Sequence, residues 1–227
     1  MTDSIGELDY SLTRSERKTL SIYVERDGRV SVLAPNNLEV EKLNKIIESK
    51  LYWIYKSLAE LEELNKTKVN REIVDGEGFL FLGDSYKLKF EEELEAPLML
   101  TEGYFVLNFN NLNNAKKHFI EFYKNEGAKH LPKRVNYYKE KLGVNPKSIR
   151  IMDLQNRWAS WSDDRLNFHW KIMLAPLSVI DYVIVHELAH LKEQNHTNEF
   201  WEIVESVMPD YKDKKMWLKL NGANLDI

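Results

Sequence analysis

Two histidines four positions apart, with a glutamate directly after the first, leave this chain few ways to fold around them. The run is His186-Glu187-Leu188-Ala189-His190, and His196 follows six residues later. Residues four apart lie on one face of an α-helix, so both imidazoles can reach a single ion. The run therefore calls for a helix whose ligand face is open while its other faces are packed. The flanks fit that demand. Val179, Ile180, Val183, Ile184, Leu188 and Leu191 recur at helical spacing after Ala175-Pro176. Ser178-Val179-Ile180-Asp181 has the form of a capping box with aspartate in place of glutamate. Asn195 reads as a left-handed residue closing the helix, and Thr197 as the cap of the next one, Asn198–Val207.

The chain has no cysteine, so disulfides, thiol catalysis and cysteine–zinc sites are excluded. Any metal is held by His, Asp or Glu. A catalytic zinc keeps three protein ligands and one open position. His186 and His190 supply two. The third comes from outside that helical turn. His196 is the preferred choice, because a neutral imidazole suits zinc and the spacing needs only a short loop. Glu202 and Glu205 on the following helix stand as alternatives. Glu187 can reach a water on the metal. Zinc lowers the pKa of such a water from about 16 to about 7 and polarises a carbonyl. The residue types thus point to a zinc-dependent hydrolase that cleaves peptide bonds with Glu187 as general base. Tyr182, His169, Arg157 and Tyr211 are candidates for stabilising the oxyanion. The rival class is a zinc-stabilised nucleic-acid- or protein-binding module with little hydrolysis. Glu187 discriminates between them, since a structural site needs no base beside its ligand.

The 227 residues suffice for one good core or two small ones. A net charge of −4 argues against a general nucleic-acid-binding surface and leaves room only for a local basic patch. One such patch lies in 129–141, where Lys133, Arg134, Lys139 and Lys141 interleave with Tyr137 and Tyr138. An amphipathic, solvated helix is the preferred reading, with weak nucleic-acid association as the alternative. The opening MTDSIGELDYSLTRSERKTL has no apolar run, and no stretch is long enough to span a bilayer. A cytoplasmic protein acting on a peptide or protein, without membrane contact, is the expectation.

Residues 1–110 read as a strand-rich region with one helix, and 111–227 as the domain that carries the motif. Asp27-Gly28 marks one hairpin and Gly83-Asp84 a second. Between them 38–64 has helical periodicity, with Asn37 in the cap position. Residues 115–126 and 132–142 read as two helices parted at Pro132. Residues 148–154 and 166–172 read as strands, and 212–220 as a last short helix. Asp181 reads as a helix cap, with orientation of a ligand histidine as its alternative role. His118 and His130 read as surface residues, and His169 as a satisfied or exposed strand histidine. Trp158, Trp161 and Trp170 read as core, with 166–172 as the candidate strand for pairing with an extended peptide. No internal repeat is visible.

Several of these segments together resemble the YgjP-like metallopeptidases, small zincins related to the SprT and WLM groups. The resemblance is carried by Asp181 to Leu191, by Asn195-His196-Thr197 and by Phe200-Trp201. Upstream, Arg157-Trp158-Ala159-Ser160-Trp161-Ser162 is similar to that family's R-W-G-S-C-S segment, with Ala159 and Trp161 as departures. Leu166-Asn167, Pro176, Pro209-Asp210-Tyr211 and, in the first half, Arg14-Ser15, Arg17-Lys18-Thr19, Trp53-Ile54, Gly83 and Tyr86 also match. The resemblance implies an α+β protein. It would have a zincin-like metallopeptidase core with an H-E-x-x-H helix, preceded by a small strand-rich N-terminal region. It further implies Zn2+ as cofactor, His186, His190 and His196 as ligands, and Glu187 as the base. It names no physiological substrate.

Overall fold

A computed structural model describes residues 2–25, 27–66, 68–154 and 157–227. The chain is α+β, with three small sheets and five α-helices among the described residues. It divides into two compact units, Met1–Lys68 and Val69–Ile227.

The first unit is one sheet and one helix. Its strands are β1 (Thr2–Ile5), β2 (Leu8–Ser15), β3 (Ser21–Val24) and β4 (Val30–Pro35), in the order β1-β2-β4-β3. The Asp27-Gly28 turn joins β3 to β4 as expected, with Gly28 at φ +83° and Val24 opposite Val30. β1 and β2 were not legible as strands. The helix α1 (Val40–Asn65) starts after Glu39, which makes no side-chain cap, rather than after Asn37. Leu43, Ile47 and Ile54 turn one face of α1 onto Leu8, Tyr10, Val30, Val32 and Ala34.

The second unit begins with β5 (Gly78–Phe81), β6 (Asp84–Glu91), β7 (Leu98–Thr101) and β8 (Tyr104–Asn108), ordered β5-β6-β8-β7. This sheet repeats the wiring of the first. In each, two antiparallel outer pairs flank a parallel central pair, β2 with β4 and β6 with β8. The sequence shows no trace of that repetition, because side-chain alternation does not encode strand order. Residues 78–108 belong to the second unit, whereas the change of character in the sequence lies near 110. The physical reason is a shared core: Phe79 stacks on Phe119 at 4.4 Å, and Tyr123 stacks on Trp170 at 5.7 Å.

Phe119 and Tyr123 lie on α2 (Ala115–Leu142), a single helix that runs through Pro132. This corrects the reading of two helices. Proline in a helix interior costs about 3 kcal/mol. Burial of Phe119, Tyr123, Leu131, Val135, Tyr138 and Leu142 along one face exceeds that, since each large apolar side chain contributes roughly 1.5–3 kcal/mol. The third sheet has β9 (Ser148–Met152), β10 (Ala159–Ser162) and β11 (Arg165–His169), ordered β10-β11-β9. β11 is therefore the central strand, with both edges paired, so it cannot pair with an extended peptide as the sequence suggested. It also stops at His169, and Trp170–Leu174 is a 3-10 turn.

That turn delivers the chain to α3 (Leu177–Ala189), where nearly every side chain is buried. A helix apolar all round belongs in a core, and α3 packs against α2, β10, α4 (Asn198–Val207) and α5 (Tyr211–Asn221). Its start is set by Pro176, whose carbonyl accepts from the amides of Val179 and Ile180 at 2.8 and 3.0 Å. Ser178 is thus inside the helix, and the capping box read from the sequence does not form. Asp181 instead accepts from Nε and Nη2 of Arg134 and from the Tyr138 hydroxyl, all on α2. It is neither a cap nor a histidine partner; it ties α3 to α2. Gly83 allows the β5–β6 turn to approach Pro176, because an added Cβ would stand 2.8 Å from the proline Cα.

Candidate metal centre

His186 and Glu187 occupy the last turn of α3, and His190 is its C-cap residue, still right-handed at φ −63° and ψ −18°. The helix ends there rather than near Asn195, which does not take up a left-handed conformation. The amides of Lys192 and Glu193 donate to Ala189, and Asn195 donates to the Glu193 side chain. The tight reversal brings His196 back over the helix end. Thr197 then caps α4 by accepting from Phe200, as expected from the sequence.

The three histidines come together. Their ligand nitrogens lie within 4.8 Å of one another, and no Asp or Glu joins them among the described residues. Nε2 of His186 and Nε2 of His196 are 3.0 Å apart. Two nitrogens bound tetrahedrally at roughly 2.0–2.1 Å from one ion stand about 3.3 Å apart, so this pair suits a shared divalent metal. Nδ1 of His190 lies 3.2 Å from the Glu193 carbonyl. A carbonyl only accepts, so Nδ1 carries the proton and Nε2 keeps its lone pair for a metal. Nδ1 of His186 is buried without a hydrogen-bond partner among the described residues. Glu202 and Glu205 are exposed on α4, where Glu205 faces Lys212 at 4.0 Å.

The electrostatics favour ligation. Burial drives the His186 imidazole down to about 3, helped by the charges of His190, His196 and Lys215. Burial also lowers His190 and His196. All three shifts favour the neutral ring, the form that binds a metal without releasing a proton. Glu187 is 6% exposed, and burial raises its carboxyl to about 8, with Arg157 pulling the other way. A carboxyl poised near neutrality suits proton transfer in either direction.

Aromatic rings hold the cluster. Phe200, fully buried, lies 4.6 to 5.0 Å from all three imidazoles. Trp201 stacks on His196 at 5.7 Å and on Tyr211 at 5.2 Å. Trp161, on the edge strand β10, stacks on His190 at 6.2 Å. Of the oxyanion candidates, Tyr182 lies 6.0 Å from His186, ring to ring. Burial, then Tyr211 and Glu187, push the Tyr182 hydroxyl up to about 12. His169 is buried and engaged elsewhere: its Nδ1 accepts from the amide of Lys171. His118 and His130 are half-buried rather than exposed, and face Glu121 and Glu126 at 3.6 and 3.5 Å. Trp170 is in the core as expected, donating to Asp153 at 2.7 Å.

In the basic stretch of α2, Arg134 is held by Asp181, and Tyr138 is buried. The patch that the sequence suggested thereby loses two of its members. Two contributors were missed altogether. The Glu193 carbonyl sets the tautomer of His190, which no side-chain motif reveals. Lys215 lies over the Trp201 ring at 4.1 Å. Its spacing of four from Tyr211 on a helix was the available signal.

Comparison with known proteins supplies a context. A family model for the YgjP-like metallopeptidase domain matches residues 18–221. Among solved structures, the metallopeptidase zymogen of Pyrococcus abyssi abylysin is similar at 25% identity. The match covers 41% of this chain and 96% of that one, with a TM-score of 0.37, too low for a structural argument. No curated protein matches.

Proposed function

Because this chain belongs to the YgjP-like metallopeptidase family, matched over residues 18–221, we propose that it is a zinc-dependent metallopeptidase. On this reading His186, His190 and His196 hold one Zn2+ and Glu187 is the general base, within a zincin-like core. The observation that carries the proposal is the convergence of three imidazoles on the end of the helix that also carries the buried Glu187 carboxyl. Bound zinc supplies a Lewis acid that acidifies a water and polarises a peptide carbonyl.

The chain's own residues do the rest. Glu193 fixes which nitrogen His190 presents. Phe200 and Trp201 hold the rings in place from one side, and Trp161 covers His190 from another. Glu187 accepts a proton from the attacking water and returns it to the departing amine. Tyr182, its ring 6.0 Å from that of His186 and its hydroxyl held protonated by burial, is the proposed donor of a hydrogen bond to developing negative charge. Peptides or proteins are the substrate class. No helix is long and apolar enough to cross a membrane among the described residues, and a cytoplasmic setting is part of the proposal.

The test is metal stoichiometry across ligand variants. His196→Ala should lose tight zinc binding, and Glu205→Ala should keep one zinc per chain. The reverse result would sink the three-histidine assignment.

A further inference from the structure

Three lysines lie close together at the start of α5, and only two of them are paired. Lys212 faces Glu205 at 4.0 Å and Lys214 faces Asp210 at 2.9 Å. Lys215 has no carboxylate within 4.0 Å among the described residues. Its ammonium lies 4.1 Å from the centre of the Trp201 ring instead. That ring stacks on His196, the exposed member of the histidine cluster. Partial burial lowers the Lys215 pKa, and its charge is felt at both His186 and His196.

The charge balance is the telling point. If the histidines hold zinc, three neutral ligands leave the ion its full double charge, and Lys215 adds another positive charge one aromatic ring away. Like charges at that range weaken metal binding. An anion bound beside the exposed Lys215 ammonium offsets part of that repulsion and gains an ion pair of surface strength. The Trp201 ring, stacked on Tyr211 at 5.2 Å and on His196 at 5.7 Å, fixes the place of the ammonium beside the histidine cluster.

We infer that Lys215 and Trp201 form a subsite beside the metal centre that selects substrates bearing a carboxylate. Two sources fit that chemistry: an Asp or Glu side chain near the scissile bond, or the terminal carboxylate of the substrate chain. The inference rests on the zinc-peptidase reading for the role of the subsite, but its test does not require turnover.

The experiment uses the full chain loaded with zinc and carrying Glu187→Gln to prevent cleavage. Three fluorescently labelled peptides of one sequence serve as probes. One has a central Glu and an amidated end, one a central Gln and a free carboxylate, and one neither. Anisotropy should give about two- to fivefold tighter binding for at least one carboxylate peptide than for the neutral one. Lys215→Met, which keeps the stem over Trp201, should abolish that preference and leave zinc binding equal or tighter. Lys215→Arg should retain it. Whichever carboxylate carries the preference identifies its source. Equal binding of all three peptides, or a preference that survives Lys215→Met, overturns the inference. Zinc loading and cleavage by the unsubstituted protein are measured separately, so failure of the peptidase reading is distinguishable from failure of the subsite.

Discussion

The ion pair between α2 and α3 offers a sharp test of what holds the motif helix. Asp181 is buried, with 8% of its side chain exposed, whereas 31% of the Arg134 side chain is exposed. Arg134 donates to the carboxylate through two nitrogens, and Tyr138 adds a third hydrogen bond at 3.1 Å. The two truncations should therefore be unequal. Arg134→Ala strands a buried carboxylate with Tyr138 as its one remaining donor among the described residues. Loss of one partner of a buried pair costs about 3–5 kcal/mol. Asp181→Ala frees a guanidinium that can turn to water, so about 1–2 kcal/mol is expected, mostly lost charge-assisted hydrogen bonds. The double variant should be closer to Asp181→Ala than to Arg134→Ala, because removing both charges leaves nothing stranded. The assay is equilibrium unfolding in urea of all four proteins with zinc removed, read as a double-mutant cycle. A shift in the same order should appear in amide exchange along α3. Equal costs for the two single variants, or a larger cost for Asp181→Ala, would refute the argument that burial of the carboxylate decides the outcome.

Other consequences follow from the same geometry. Glu187 is raised in the folded chain from 4.5 to about 8. Its favourable contribution is complete below the unfolded pKa and is lost as pH rises through 8. Glu187→Gln should therefore raise the melting temperature of zinc-free protein at pH 9 and leave it little changed at pH 5; no gain at pH 9 would contradict the burial. The opposite sense holds for His186, lowered from 6.5 to about 3. Its contribution is present above 6.5 and fades as pH falls towards 3, so zinc-free protein should lose a few kcal/mol on acidification, and His186→Gln should lose less. Gly83→Ala meets both a φ of +93° and a contact 2.8 Å from Pro176, whereas Gly103→Ala at φ +81° meets open space. The first should cost about 2 kcal/mol or more and the second about 1 kcal/mol in thermal unfolding; equal costs would mean that the close approach does not matter.

Local chemistry made part of this molecule readable. Asp27-Gly28 and Gly83-Asp84 identify their hairpins because each turn needs a positive φ that glycine supplies. Thr197 identifies its helix because a hydroxyl there meets a free amide. The spacing of His186 and His190 pairs two candidate ligands by helix geometry alone, whereas His196 depends on the loop reversal that follows. What was misread depends on tertiary context. Pro132 looks like a break until the buried face of α2 is counted. Ser178 to Asp181 looks like a capping box, but Pro176 starts the helix earlier and Arg134 claims the aspartate. β10 is four residues long, and it is an edge strand only because β11 pairs on both sides. Lys215 carries no motif, and its place above Trp201 exists only once α4 and α5 have both docked on α3.

The central claim is that zinc and Glu187 act together on a peptide bond. The most direct measurement compares the unsubstituted protein with Glu187→Gln, each assayed for zinc per chain and for cleavage of a mixed peptide pool by mass spectrometry. One zinc is expected in both proteins, with cleavage by the first and a loss of at least about a hundredfold in rate in the second. Cleavage by Glu187→Gln at the unsubstituted rate, with zinc retained, would contradict the claim.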